Sequence, residues 1–188
     1  MSDASDAFAA AAAQLAQAVG EAINDPADAI RLLLPLASFE TPPTPGSGPL
    51  ATATRLAQDA IANNLRCAAC AALGTATQRY LPSSYQDAWA LRNAVCAVLD
   101  AQATRAADAG RDATWSALRE LRTAIAIDLS IRGASLDYLV EVTTAASTPS
   151  LAQAWTLYQD TTREPALVAA ADVRHPLFMP LSFAGLSR

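Results

Sequence analysis

The sequence predicts an all-α protein, an antiparallel helical bundle, and three observations carry that reading. About a quarter of the chain is alanine, well above ordinary usage. Alanine loses no side-chain entropy in a helix and lets helix axes approach closely. Aromatic residues make up only 6% of the chain, and β-branched runs are scarce, so a large sheet lacks its usual material. Residues 83–133 read as two amphipathic helices joined by one tight turn, the pattern of an antiparallel hairpin.

The hairpin is bounded by clear punctuation. Pro82 stops what precedes it, and Ser84 is placed to cap the first helix. Asp87, three residues on, makes a weak capping box, because Asp reaches back less well than Glu. Ala88, Leu91, Val95, Val98 and Ala101 recur at spacings of three and four, widened on one side by Tyr85, Trp89, Cys96 and Leu99. Gly110 supplies the left-handed residue that ends a helix, and Asp112 is placed to cap the next. Trp115, Leu118, Leu121, Ile125 and Leu129 form the second stripe, which Gly133 is expected to close.

Before the hairpin, Ser5 or Asp6 starts a helix through Phe8, Leu15, Val19 and Ile23. Asn24, Asp25 and Pro26 break it, and Pro26 suits the first position of a second helix. That helix carries Ile30, Leu32, Leu33 and Leu34 before meeting Pro35. The apolar cluster over residues 30–39 reads either as core or as a docking surface for another chain. Residues 41–49 (TPPTPGSGP) hold four prolines and two glycines, which forbids a helix and favours an extended linker. A long helix then resumes from Leu50 to Tyr80, with Leu56, Ile61, Leu65, Ala69 and Leu73 near one face and Gly74 weakening its far end.

After Gly133 the pattern changes. Residues 136–144 (LDYLVEVTT) hold the clearest β-favouring cluster, read as one short extended segment. Thr148, Pro149 and Ser150 make a turn, with Ser150 capping a helix that carries Leu151, Trp155 and Tyr158. Arg163, Glu164 and Pro165 open a last short helix through Val173, and from Arg174 the chain reads as an irregular tail. The organisation expected is therefore N-terminal helices over 1–40, a linker over 41–49, a main helical domain over 50–173 and a C-terminal docking tail over 174–188.

Charge and chemistry narrow the function. The formal net charge is −5, and all thirteen basic residues are arginines scattered among acids. With no basic stripe, direct nucleic-acid binding by this chain is not expected. No uninterrupted apolar run is long enough to span a bilayer, and the first residues carry acid where a signal peptide needs base. Cys67 and Cys70 form a CxxC, but mid-helix and with no preceding strand, so a redox role is not favoured. The one conceivable zinc set, Cys67, Cys70, Cys96 and His175, is outweighed by the tendency of free cysteines to act as small buried apolar residues. His175 is the single histidine, and neither a nucleophile elbow nor a phosphate loop is present. No catalytic residue, metal or cofactor is expected.

The segment that stands out is Arg174, His175, Pro176, Leu177, Phe178, Met179 and Pro180. Two prolines bracket aromatic and aliphatic residues after the last helix. It reads either as a tail that covers the helices' own apolar seam or as a strap that inserts Leu177 and Phe178 into a neighbouring protein, with proline lowering the ordering cost. On the second reading, removing everything after Val173 leaves a helical protein that no longer assembles.

The ordered series YQDAWALRNAVCAVLD (residues 85–100), LRELRTAIAIDLSIRG (118–133), LAQAWTLY (151–158) and Arg174-His175-Pro176-Leu177-Phe178 resembles the C-terminal region of the Mu-like phage DNA circularisation proteins. The boundary Asn24-Asp25-Pro26 and the alanine-rich start are similar to the middle of such proteins. The resemblance implies a tail component, and the family name records a role in holding injected DNA ends. Family members carry a separate N-terminal domain that is not seen ahead of Met1, so nothing belonging to that domain is carried over. The function expected is a structural subunit of a phage tail near the baseplate or hub, in the virion after assembly in the host cytoplasm and docked on other tail proteins. The alternative is a DNA-associated protein that protects or bridges genome ends.

Overall fold

The computed structural model describes residues 2–187, without the side chains of residues 2–6, 16 and 19–22. The chain is mainly helical, as the alanine content requires. In order come α1 (Ser2–Ala22), α2 (Pro26–Ala37), α3 (Pro49–Arg79), α4 (Tyr85–Asp108) and α5 (Asp112–Ala134). Strand β1 (Leu139–Thr143), α6 (Ser150–Tyr158), a 3-10 turn (Thr161–Arg163), α7 (Glu164–Ala171) and β2 (Ser182–Leu186) complete it. Among the described residues no helix is long and apolar enough to cross a membrane. The expected cap residues Ser5 and Asp6 and the stripe residue Val19 lie among the side chains not described.

Two compact units arise. One comprises Met1–Leu81 with Leu91–Asp128, the other Pro82–Ala90 with Leu129–Arg188. The proline-rich segment therefore does not separate domains, because it is tied down within the first unit. There α1 and α2 both pack on α3. Asp25 caps α2 by accepting from the Ala27 N–H at 2.9 Å, and Pro26 is its first residue. Ala29, Ile30, Leu33 and Ala37 form its buried face, and the helix runs two residues past Pro35 before Ser38 caps it. Leu32 faces solvent. Residues 39–46 lie back along α3: Thr41 donates to Asp59, Thr44 to Gln58, and Arg55 to the Gly46 carbonyl at 3.2 Å.

Within the first unit α3 departs from the stripe expected of it. Leu56 and Ile61 are exposed, whereas Ala62, Asn63, Arg66, Ala69, Cys70, Leu73, Ala76 and Thr77 are buried. Polar residues reach the interior because they satisfy one another. Arg66 Nε donates to Gln102 Oε1 (3.1 Å) and Nη1 to the Phe39 carbonyl (2.8 Å). Gln102, fully buried, donates to Asn63 Oδ1 at 2.9 Å and to Cys67 Sγ at 3.4 Å. The Arg66 guanidinium is held below its ordinary pKa, first by burial and then by the neighbouring Arg105, which itself pairs with Glu40. Burial of Gln102 shifts the α4 stripe to Val95, Leu99, Gln102, Ala103 and Ala106, and leaves Ala101 exposed.

The turn between α4 and α5 is as the sequence predicts. Gly110 has φ +66, and the Arg111 N–H donates to the Ala106 carbonyl at 2.8 Å. Asp112 is inside α5 rather than its cap, since the Trp115 N–H reaches the Arg111 carbonyl. It still places a carboxylate on the positive helix end. Asp100 of α4 meets Arg119 and Arg122 of α5, and Cys96 Sγ lies 4.0 Å from the Arg122 carbonyl, so the pair runs antiparallel. Trp115 is exposed while Leu118 and Ile125 are buried.

In the second unit Ser84 caps α4 by accepting from the Asp87 N–H (3.2 Å), while Asp87 reaches back to the Ser83 N–H at 2.8 Å. Trp89 is exposed rather than part of the buried stripe. Gly133 does not end α5; it lies within the helix, close against Ala88. The expected extended segment forms β1, but it has a partner. β2 pairs with it antiparallel, Leu139 opposite Leu186 through Thr143 opposite Ser182. The C-terminal tail is thus not irregular throughout. A core of Ala154, Leu167, Met179 and Phe183, with Val142 and Tyr158 packed against it, holds α6, α7 and the sheet together. Pro149, not Ser150, is the N-cap of α6; the Ser150 hydroxyl instead donates to Glu164 Oε1 at 2.6 Å, tying α6 to α7.

Candidate docking site

The segment Arg174 to Pro180 follows from how α7 ends. Asp172 adopts the left-handed conformation (φ 49) and the Val173 N–H bonds back to the Val168 carbonyl. Residues 175–178 then form a turn in which the Phe178 N–H donates to the His175 carbonyl at 3.1 Å. Pro176 occupies the second position, where its fixed φ is pre-set for the turn. The turn is anchored at both ends. The Ser150 N–H donates to the Pro176 carbonyl (2.7 Å), the Met179 N–H to the Thr148 carbonyl (3.3 Å), and the Ser147 hydroxyl to the Met179 carbonyl (2.7 Å).

The two readings of this segment divide along its length. Met179 is 1% exposed and belongs to the core, so the covering role is real at that residue. Leu177 and Phe178 are 57% and 70% exposed at the tip. The imidazole of His175 lies against the Phe178 ring, centroids 5.5 Å apart and tilted 49°. Arg174, His175, Pro176 and Pro180 are exposed as well. Six of the seven residues singled out by sequence are therefore exposed, four of them within the turn at 175–178, and Met179 is its buried root. Such a knob is pre-ordered by three backbone-anchoring hydrogen bonds, so contact with another surface costs little further chain entropy. It carries one fixed cation, Arg174, and offers two apolar side chains as anchors.

The cysteines make no comparable site. All three are free, Cys70 and Cys96 buried and Cys67 half-buried. Burial, then the neighbouring Cys67, pushes the Cys70 thiol up to about 12, and burial raises Cys96 too, so these two are protonated at neutral pH. Among the described residues no three His, Cys, Asp or Glu side chains gather as metal ligands would.

Two surface features escaped the sequence reading. A cavity of about 360 Å³ lies between α1 and α3, walled by Ala13, Ala68, Ala71, Ala72 and Thr75. The outer face of α5 presents Trp115 and Ile127, with Arg119 poised 6.0 Å from the Trp115 ring centroid. The spacing of Trp115 places it on the buried stripe; only the packing of the neighbouring helices decides that it faces out. No family model matches this chain, and no curated protein does.

Proposed function

We propose that this chain is a structural subunit of a phage tail, associated with the baseplate or hub and acting by docking on neighbouring proteins. The observation that carries the reading is the anchored turn whose Leu177 and Phe178 are held out to solvent while the adjacent Met179 is locked in the core. Exposed apolar side chains on a pre-ordered turn are costly to leave in water and effective when covered by a partner. The serial resemblance of residues 85–100, 118–133, 151–158 and 174–178 to Mu-like phage DNA circularisation proteins supplies the assembly in which that partner is sought. A net charge of −5 with scattered arginines suits protein contacts better than contact with DNA phosphates.

Quantitative mass spectrometry on purified particles of the source phage or prophage tests this directly. A fixed copy number that survives a high-salt wash is expected. Absence of the chain from intact particles overturns the reading.

A further inference from the structure

The bonds that anchor the turn of Leu177 and Phe178 also fix the start of α6 beside it. The Ser150 N–H donates to the Pro176 carbonyl at 2.7 Å, and the Met179 N–H to the Thr148 carbonyl at 3.3 Å. Leu151 therefore follows directly on a residue bonded to the turn. The inward face of α6 is taken: Ala154 lies in the core, Leu157 and Tyr158 pack against it, and Gln153 is buried. The helical period leaves residues 151, 152, 155 and 156 on the other side, and all four are exposed. Leu151 and Trp155 are 54% and 55% exposed. A tryptophan so placed leaves a large apolar surface in water, and tryptophan leads the residues that carry binding energy at interfaces.

Charge on this surface has one sign. α6 has no charged side chain, and Arg174 carries the only fixed charge of residues 173–183. Arg174 is exposed and makes no hydrogen bond or ion pair among the described residues. The other arginine near α6 is engaged, since Arg163 pairs with Asp137 and stacks on the Tyr158 ring. The acids nearby do not answer Arg174. Glu164 accepts from the Ser150 hydroxyl, Asp160 accepts from Thr162, and Asp172, the C-cap of α7, makes no ion pair with it.

We infer that the partner met at Leu177 and Phe178 also covers Leu151 and Trp155, and is a different protein whose apolar pocket carries a carboxylate for Arg174. The inference rests on the docking reading proposed above. An unpaired cation beside uncharged apolar surface is satisfied by an Asp or Glu of the partner and opposed by a Lys or Arg. A second copy applied to the same surface by a two-fold axis brings only another Arg174 and another uncharged helix face. It offers no acid to either cation.

The chain has no lysine, and the test uses that fact. Arg174→Lys keeps the cation and introduces one side-chain amine, which a carbodiimide couples to a carboxylate in contact with it. Purified particles carrying this variant should yield a cross-link from position 174 to an Asp or Glu of another protein. Trp155→Ser and Arg174→Glu should each lower the copy number per particle about tenfold or more, with thermal midpoints unchanged, whereas Arg174→Lys should not. Thr156→Asp puts a charge on the same exposed face, and serves if the serine variant does not fold. A cross-link to a second copy of this chain overturns the inference. So does a normally incorporated Arg174→Lys variant that yields no cross-link, or normal incorporation of Trp155→Ser. Absence of the native chain from particles overturns the tail reading and this inference with it, and is told apart by the native control.

Discussion

Gly133 lies so close to Ala88 that a Cβ built on it would meet the Ala88 Cβ at 2.9 Å. The neighbouring atom is a methyl fixed to its own helix and has no rotamer by which to move aside. Gly133→Ala gains about 1 kcal/mol of helix propensity at most and incurs an overpacking cost of about 1–3 kcal/mol. A net loss of about 1 kcal/mol is expected, read as a lower urea midpoint with an unchanged slope.

The buried network around Gln102 is expected to behave as a unit. Gln102→Leu removes the acceptor of Arg66 Nε and the donor to Asn63, stranding a largely buried guanidinium nitrogen. A loss of about 2–4 kcal/mol is expected. Adding Arg66→Met should recover part of it, because the second change removes the unpaired charge. A double-mutant cycle by chemical denaturation measures the coupling, and simple additivity of the two losses would contradict a network.

Alkaline stability should depend on Cys70. Its thiol titrates near 9 when free and near 12 in the fold, so the folded chain holds the proton more tightly than the unfolded chain. The associated stability is complete below pH 9 and is lost as the pH rises toward 12, with a slope of up to about 1.4 kcal/mol per unit for one proton. Unfolding free energies of the native chain and of Cys70→Ala, compared over that window, should diverge in slope. Parallel curves would show that the thiol is not the group responsible.

Adjacent residues of the C-terminal turn should give opposite phenotypes. On the tail-subunit reading, Leu177→Ser with Phe178→Ser should leave the circular dichroism and thermal midpoint unchanged and abolish incorporation into particles. Met179→Ala should cost about 2–4 kcal/mol, because it empties a core position. Truncation after Val173 is not the clean assembly mutant that the sequence suggests. It removes Met179, Phe183 and all of β2, and the second unit is expected to lose its protection from hydrogen exchange.

The features legible in the sequence are those with a local cause. Pro26 at a helix start, Ser84 as a cap and Gly110 in the left-handed region each follow from the chemistry of one residue and its near neighbours. What escaped needed distant partners. Arg66 and Gln102 are interior because they meet each other across 36 positions, and their burial displaced Leu56, Ile61 and Ala101 from the expected faces. The segment Ser182–Leu186 has too little β-favouring character to stand out, and becomes a strand only by pairing with β1. Met179 looked like part of a docking loop because nothing near it in sequence reveals the pocket formed by Ala154, Leu167 and Phe183.

That pairing also sets a schedule for biosynthesis. β1 ends at Thr143 and its complement begins at Ser182, so the strand emerges from the ribosome well before anything can pair with it. At about 5–20 residues per second the wait is on the order of 2–8 s. The helices of the first unit are complete by Asp128 and have all their sequence available earlier. Nascent β1 spends that interval with both sides unpaired, and only Gln86, which in the fold bonds the N–H and carbonyl of Leu139, can cover one residue of it.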